Sequence, residues 1–282
     1  MQAWTVARVL QWAAADLGGR HSTSPRLDAE LMLAMVLKCD RVKLIVDSAR
    51  PLDDDELSAY KALHVRRRKG EPIAYLRGER EFFSRAFVVD ARVLVPRPET
   101  ELLVEAALRR TRHVSLSARA LDLCTGSGCV AITIKKERPT NTVLACDIST
   151  DALDVARINC ERLGGLVGLY ESDLFARFDG QRFELITANP PYIPSHEMAA
   201  LPVDVRDFEP SIALEAGADG MDVIRRIIDA APAHLALAGV LALEVVAGTA
   251  PAVASLMSAG GLGQVEIEKD YGGHERIVSA VR

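Results

Sequence analysis

The sequence predicts an α/β protein: a parallel, doubly wound sheet with an antiparallel edge, preceded by a small helical region. Three observations predict it. From residue 119 onward, short apolar β-prone runs alternate with helical stretches, the pattern of repeated β-α-β crossovers. The last two β-prone runs, residues 264–268 and 276–280, stand too close together for a parallel crossover, so they should pair antiparallel at the sheet edge. The first part of the chain carries helical caps and helical periodicity instead of β runs.

The bulk numbers bound the function. A chain of 282 residues is one large domain or two smaller ones, with size enough for a real core. Hydrophobic content of 49% and charged content of 26% are ordinary for a globular protein in water. A net charge of −5 advertises no broad nucleic-acid surface. The cysteines (Cys39, Cys124, Cys129, Cys146, Cys160) are scattered and lack zinc-ligand spacing; they read as reduced thiols in a cytoplasmic protein. The N-terminus lacks a basic segment followed by a long apolar one, so no signal peptide is expected. No apolar run is long enough to span a bilayer.

The elements follow in order. Ser24-Pro25 is a cap with proline at the first helical position, and Leu27, Leu31, Ala34 and Met35 then share a helical face. Asp53-Asp54-Asp55-Glu56 puts negative charge where a helix dipole favours it, with Leu57, Tyr60 and His64 on one face of that helix. His64 reads as a half-buried packing residue, and Arg66 to Lys69 as a solvated helix face. Residues 81–83 and 87–89 flank Ser84-Arg85 as a hairpin. The prolines of Leu94-Val95-Pro96-Arg97-Pro98-Glu99-Thr100-Glu101 break structure, and Glu99 or Thr100 can start the next helix. Arg97 reads either as a contact to a ligand or as a structural ion pair. Strands are expected at 119–124, 142–146, 168–171, 183–188 and 240–245, and helices at 129–136 and 152–163. Asp270, His274 and Arg276 belong to the edge hairpin, with His274 exposed in its turn.

Three places converge on one crevice at the switch point of such a sheet, and a turn after the fourth strand discriminates between the ligands they fit. Thr125-Gly126-Ser127-Gly128 lies between the first strand and its helix, where glycines admit a ligand close to the backbone and the helix N-terminus is a positive dipole end. Asp147 ends the next strand about twenty residues on, as a ribose-binding carboxylate should. Asp173 follows the third strand; it either accepts from an adenine amino group or caps a short helix. Asn189-Pro190-Pro191-Tyr192 follows the fourth. Two consecutive prolines stop a strand and stiffen the turn after it, leaving carbonyls, an amide and a ring that can grip a planar NH2-bearing group. Taken alone the same turn is also an ordinary strand ending. The glycine loop fits a dinucleotide or S-adenosylmethionine. No proton donor and acceptor pair suited to hydride transfer is evident, and the Asn-Pro-Pro-Tyr turn favours methyl transfer to a planar nitrogen.

The set Leu121-Asp122-Leu123-Cys124-Thr125-Gly126-Ser127-Gly128, Asp147, Asp173 and Asn189-Pro190-Pro191-Tyr192 is similar to class I S-adenosylmethionine-dependent methyltransferases acting on amide or exocyclic nitrogens. Further segments narrow the resemblance: Arg67-Arg68-Lys69-Gly70-Glu71-Pro72-Ile73-Ala74-Tyr75, the stretch from Leu94 to Glu101, Glu209-Pro210, Asp219-Gly220, and Asp270-Tyr271-Gly272-Gly273-His274-Glu275-Arg276. In these the chain resembles the HemK-like peptide chain release factor glutamine methyltransferases along nearly its whole length. That resemblance implies a Rossmann-like class I methyltransferase domain over residues 96–282, a β-hairpin connector over 77–95 and a helical, release-factor-binding domain over 1–76. It implies N5-methylation of the glutamine in the Gly-Gly-Gln motif of release factors, with S-adenosylmethionine as cofactor, and no membrane or direct nucleic-acid partner. Asn189, also a cofactor-binding candidate, and the Pro190 carbonyl would accept the two N–H bonds of the substrate amide, Pro191 would keep the turn stiff, and Tyr192 would pack against the amide plane. The chain departs from the family at Cys124, where a glycine usually begins the loop, and at Leu174, where an aromatic residue is common. Both enter the candidate site by position. A nucleic-acid adenine N6-methyltransferase can use a similar turn and is the main rival; it usually offers a basic groove, which the net charge argues against. A non-catalytic nucleotide-binding regulator would have no need of the Asn-Pro-Pro-Tyr turn.

Overall fold

The computed structural model describes residues 3–113 and 117–282. The first two residues of the stretch read as leaderless therefore lie outside the described residues. The chain divides into two compact units: one comprises the described residues up to Glu79 together with Ala200–Glu209, the other Arg80–Ala199 and Pro210–Arg282. The boundaries drawn from sequence, at 76 and 95, contain no such return of residues 200–209.

The first unit is helical: α1 (Val6–Leu17), α2 (Pro25–Leu37), α3 (Arg41–Val46), α4 (Asp54–Arg68) and α5 (Ile73–Arg77). Its helix starts follow local chemistry. Asp53 and Glu56 form a reciprocal capping box at α4, and Asp40 caps α3 by accepting from Lys43 N. The apolar face expected for α2 is wrong. Leu27 is exposed, and the face turned inward carries Asp28, Ala29, Met32 and Leu33. Asp28 is inside because Arg67 Nε donates to it at 2.7 Å from α4, and the remaining guanidinium nitrogens donate to the carbonyls of His21, Gly70 and Glu71. Arg67 is thus a buried strut within the run read as a solvated face, while Arg66 and Arg68 pair with Glu71 and Asp16 nearer the surface. His64 is buried outright, its Nε2 3.0 Å from Asp16 and its ring 4.6 Å from that of Trp12. Burial holds its pKa below the usual imidazole value, the Asp16 hydrogen bond opposing.

The second unit opens with a hairpin, β1 (Glu79–Phe82) and β2 (Arg85–Val88). Its two-residue turn is Phe83-Ser84, one residue earlier than read. Both turn residues have positive φ, as a turn matched to strand twist requires, and Phe83 N–H donates to Glu101 at 2.7 Å. Then follow α6 (Thr100–Arg110), β3 (Arg119–Leu123), α7 (Cys129–Glu137), β4 (Thr142–Asp147), α8 (Thr150–Leu163), β5 (Val167–Glu171) and β6 (Phe183–Ala188). The short α9 (Val203–Arg206) belongs to the first unit. After it come α10 (Asp222–His234), β7 (Leu235–Glu244), α11 (Ala250–Ala259), β8 (Gly263–Lys269) and β9 (Glu275–Val281).

The sheet has the order β5-β4-β3-β6-β7-β9-β8. Its first five strands run parallel, and β9 pairs antiparallel with both β7 and β8, as the short connection at the C-terminus predicts. Both faces are covered. Leu121, Leu123, Ile186, Ala188, Leu241 and Leu243 point to one core with α10 and α11; Ala120, Val143, Ala145, Leu185, Val240 and Ala242 point to the other with α6 and α7. That double burial makes the strands near-continuous apolar runs instead of alternating ones. The strand order reverses between β3 and β6, so the chain ends of these strands open a crevice at their carboxyl side. Among the described residues no helix is long and apolar enough to cross a membrane.

Candidate active site

Register places the candidate residues in one row. Leu123 of β3 stands opposite Cys146 of β4 and Ala188 of β6. One residue further in sequence, these three strands lead into Cys124, Asp147 and Asn189. A cavity of about 460 Å³ opens over this row, within the size of small-molecule sites. Of the residues nominated from sequence, Cys124, Thr125, Gly126, Ser127, Asp147, Asp173, Leu174, Asn189 and Pro191 line it. Gly128, Pro190 and Tyr192 do not.

The glycine loop is held from below. Asp122 is buried; it accepts from Thr125 Oγ1 at 2.6 Å and from Thr187 Oγ1 of β6 at 2.7 Å. Burial pushes its carboxyl up to about 7, the threonine hydrogen bonds opposing. Gly126 has φ +54 and lines the cavity, and nothing lies within 4 Å of where its Cβ would be, so a side chain there would protrude into open space above the loop. Gly128 has a different task. It starts α7 with φ +79, and a Cβ there would meet Ile132 and Ala156 at 3.1 and 3.3 Å. It sets helix packing and leaves the cavity wall to its neighbours.

Asp147 accepts from Gly126 N–H at 2.9 Å and from Ser149 N–H at 3.0 Å. Burial pushes its pKa above the usual carboxylate value despite these bonds. Its remaining lone pairs are available to hydroxyl donors. Asp173 neither caps the turn after it nor stays unpaired: its carboxylate takes Arg226 of α10 at 2.8 Å, and Ser172 Oγ accepts from Arg177 N–H in its place. Leu174 lines the cavity with φ +49.

Asn189 Nδ2 donates to Thr100 Oγ1 at 3.2 Å, which leaves Asn189 Oδ1 as the amide's acceptor. Pro190 is buried, and both peptide bonds into the prolines are trans. Tyr192 packs on the core with α10, and burial pushes its hydroxyl up to about 12. The turn is braced by residues 214–220. Ile193 N–H donates to Leu214 O, Ala216 N–H to Ile193 O and Ser195 N–H to Gly217 O, at 2.8, 2.9 and 2.8 Å. At Gly220, with φ +74, a Cβ would sit 2.4 Å from the Tyr192 carbonyl.

Sequence reasoning missed several cavity residues. Arg226 lies on the exposed side of α10, whose inward face carries Ile224, Ile227, Ile228 and Ala231. Ile148 had a signal, an apolar residue directly after a strand-end aspartate, and it is exposed beside the cavity. Asp122 had one as well: an acidic residue inside an apolar strand.

Comparisons with known proteins show the family of the chain. The family model described as the PrmC N-terminal domain matches residues 8–78, and that of the methyltransferase small domain matches residues 98–203. A release factor glutamine methyltransferase of Geobacter sulfurreducens is 40% identical over 98% of this chain and 96% of its own. The chain belongs to the release factor glutamine methyltransferase family. A second family member, from Rhodopirellula baltica, is 41% identical over 98% of this chain and 96% of its own. Among solved structures, a methyltransferase from Pyrococcus furiosus superposes with a TM-score of 0.52 at 18% identity, over 71% of this chain and 90% of that one. The family's class I methyltransferase fold and helical N-terminal domain are those read from the sequence. In this chain Cys124 and Leu174 both hold left-handed backbone.

Proposed function

We propose that this chain transfers the methyl group of S-adenosylmethionine to the side-chain N5 of the glutamine in the Gly-Gly-Gln motif of release factors. The observation that carries the reading is that Asp147, Cys124 and Asn189 line one cavity. This sets an amide acceptor beside a glycine-lined cavity that fits a nucleoside. The near-full-length similarity to curated release factor glutamine methyltransferases supports the same substrate class.

The residues fit the cofactor: Gly126 leaves open the space a side chain would fill, and Asp147 keeps lone pairs for ribose hydroxyls. Leu174 and Ile148 offer apolar surface to a base. When bound, S-adenosylmethionine supplies an electrophilic methyl group on a sulfonium. The chain's own part is alignment, because an amide nitrogen is a weak nucleophile whose lone pair is delocalised. Asn189 Oδ1 accepts one N–H of the substrate amide and the Pro190 carbonyl accepts the other. Together they orient the nitrogen and favour positive charge developing on it. Pro191 keeps the turn stiff, and Tyr192, neutral at working pH, braces it from the core side. Release factors act in translation, so the reading puts the enzyme in the cytoplasm, and no nucleic-acid contact enters it.

Mass spectrometry after incubation of a release factor with this protein and S-adenosylmethionine tests the proposal. One methyl on the Gly-Gly-Gln glutamine is expected. Methylation of adenine in DNA or RNA, with none on the release factor, would overturn it.

A further inference from the structure

A line of polar contacts runs inward from Asn189. Its Nδ2 donates to Thr100 Oγ1 at 3.2 Å, and Thr100, the first residue of α6, is 2% exposed. Burial pushes the Glu244 carboxyl up to about 7, while Thr100 favours its charged form. Glu244 ends β7, is 2% exposed, and its Oε2 has no hydrogen-bond partner. The pairing of Leu243 with Ala188 sets Glu244 next to Asn189 in the adjoining strand.

With Glu244 ionised, above about pH 7, the donors and acceptors along this line allow one direction. A threonine hydroxyl has a single hydrogen, and a carboxylate only accepts. With Oγ1 already accepting from Asn189, that hydrogen is left for the ionised Glu244. A flipped Asn189 would turn Oδ1 toward an oxygen whose hydrogen is committed, and would present NH2 to the substrate's own NH2. Arg97 and Glu99 ahead of α6, Arg276 of β9 and Tyr192 surround the carboxylate electrostatically.

We propose that Glu244 and Thr100 are positioning residues that hold the Asn189 carboxamide with its oxygen toward the acceptor amide. The inference rests on the role given to Asn189 in the proposed function. It deepens that role by naming what sets the amide's direction.

Full-length Thr100→Val, Thr100→Ser, Glu244→Gln, Asn189→Ala and the Thr100→Val/Asn189→Ala double variant separate the two claims. Release-factor methylation and calorimetric binding of S-adenosylmethionine are read for each. Thr100→Val is expected to lower kcat about tenfold with cofactor affinity within about twofold, and Thr100→Ser to restore it. Glu244→Gln keeps the shape but lets the direction reverse, so kcat falls several-fold. This variant carries the test if Thr100→Val does not fold. In the Asn189→Ala background Thr100→Val should cost nothing further. Unchanged kcat in Glu244→Gln, or an undiminished Thr100→Val loss in that background, overturns the positioning role. Full activity of Asn189→Ala instead overturns the proposed function beneath it.

Discussion

Cys124 and Leu174 hold left-handed backbone at φ +54 and +49, on either side of Asp147 in the cavity wall. Each costs on the order of 1 kcal/mol relative to glycine, so tertiary structure must hold them there. Cys124 is held by its neighbours: Thr125 N–H donates to Cys146 O at 3.0 Å, and Gly126 N–H to Asp147. Asp147 therefore carries two loads, the loop and the proposed ribose contact. Asp147→Ala should weaken S-adenosylmethionine binding on the order of ten- to a hundredfold, the worth of hydrogen bonds to a charged group, as calorimetry would read. The main load proposed for Asn189 is the acceptor's. Asn189→Ala should lower kcat on the order of a hundredfold, while cofactor affinity stays within a few-fold, in a single-turnover assay with release factor.

At the scale of elements, the loop of residues 214–220 is as much part of the site as β6. Gly220 lets this loop approach the Tyr192 carbonyl, so Gly220→Ala should destabilise the fold by about 2 kcal/mol and lower kcat by shifting the turn; urea unfolding and turnover would read both. Strand β3 hides a second load in Asp122, whose carboxyl is raised to about 7. An acid raised in the folded state binds its proton more tightly there than when unfolded. Its contribution to stability is complete below the unfolded pKa near 4 and is lost as pH rises through about 7. The stability of wild type relative to Asp122→Asn should therefore fall across that window, by about 4 kcal/mol at most. Melts of both proteins between pH 4 and pH 8 would show a flat difference if the shift is absent. Strands were the elements best legible in the sequence, because burial on both faces writes them as unbroken apolar runs bounded by Asp147 and Asn189. The buried face of α2 was not legible, because it depends on Arg67, distant in sequence, drawing Asp28 inward. The loop of Cys124 to Gly128 could be read as a ligand loop, but not which glycine faces the ligand; Gly128 serves packing instead.

At the scale of the molecule, the two units have separate cores, one built on α1, α2 and α4 and the other on the sheet. Every residue lining the cavity belongs to the second unit. Asp28→Ala leaves the Arg67 guanidinium buried without its carboxylate, which should cost the first unit about 3–5 kcal/mol. Limited proteolysis should then cut within residues 3–79 first, while S-adenosylmethionine affinity remains that of wild type. The return of Ala200–Glu209 to the first unit has a practical consequence for anyone dissecting this protein. Gly70, at φ +99, lies so close to Val203 that a Cβ on it would approach the valine side chain to 2.6 Å, and Phe208 lies beside it. A truncation starting at residue 80 would strip Val203 and Phe208 of their cover and leave a greasy tether looping out of the catalytic half. Neither half of this gene is a clean fragment, and expression trials should replace residues 200–209 with a polar linker before judging whether the sheet folds alone.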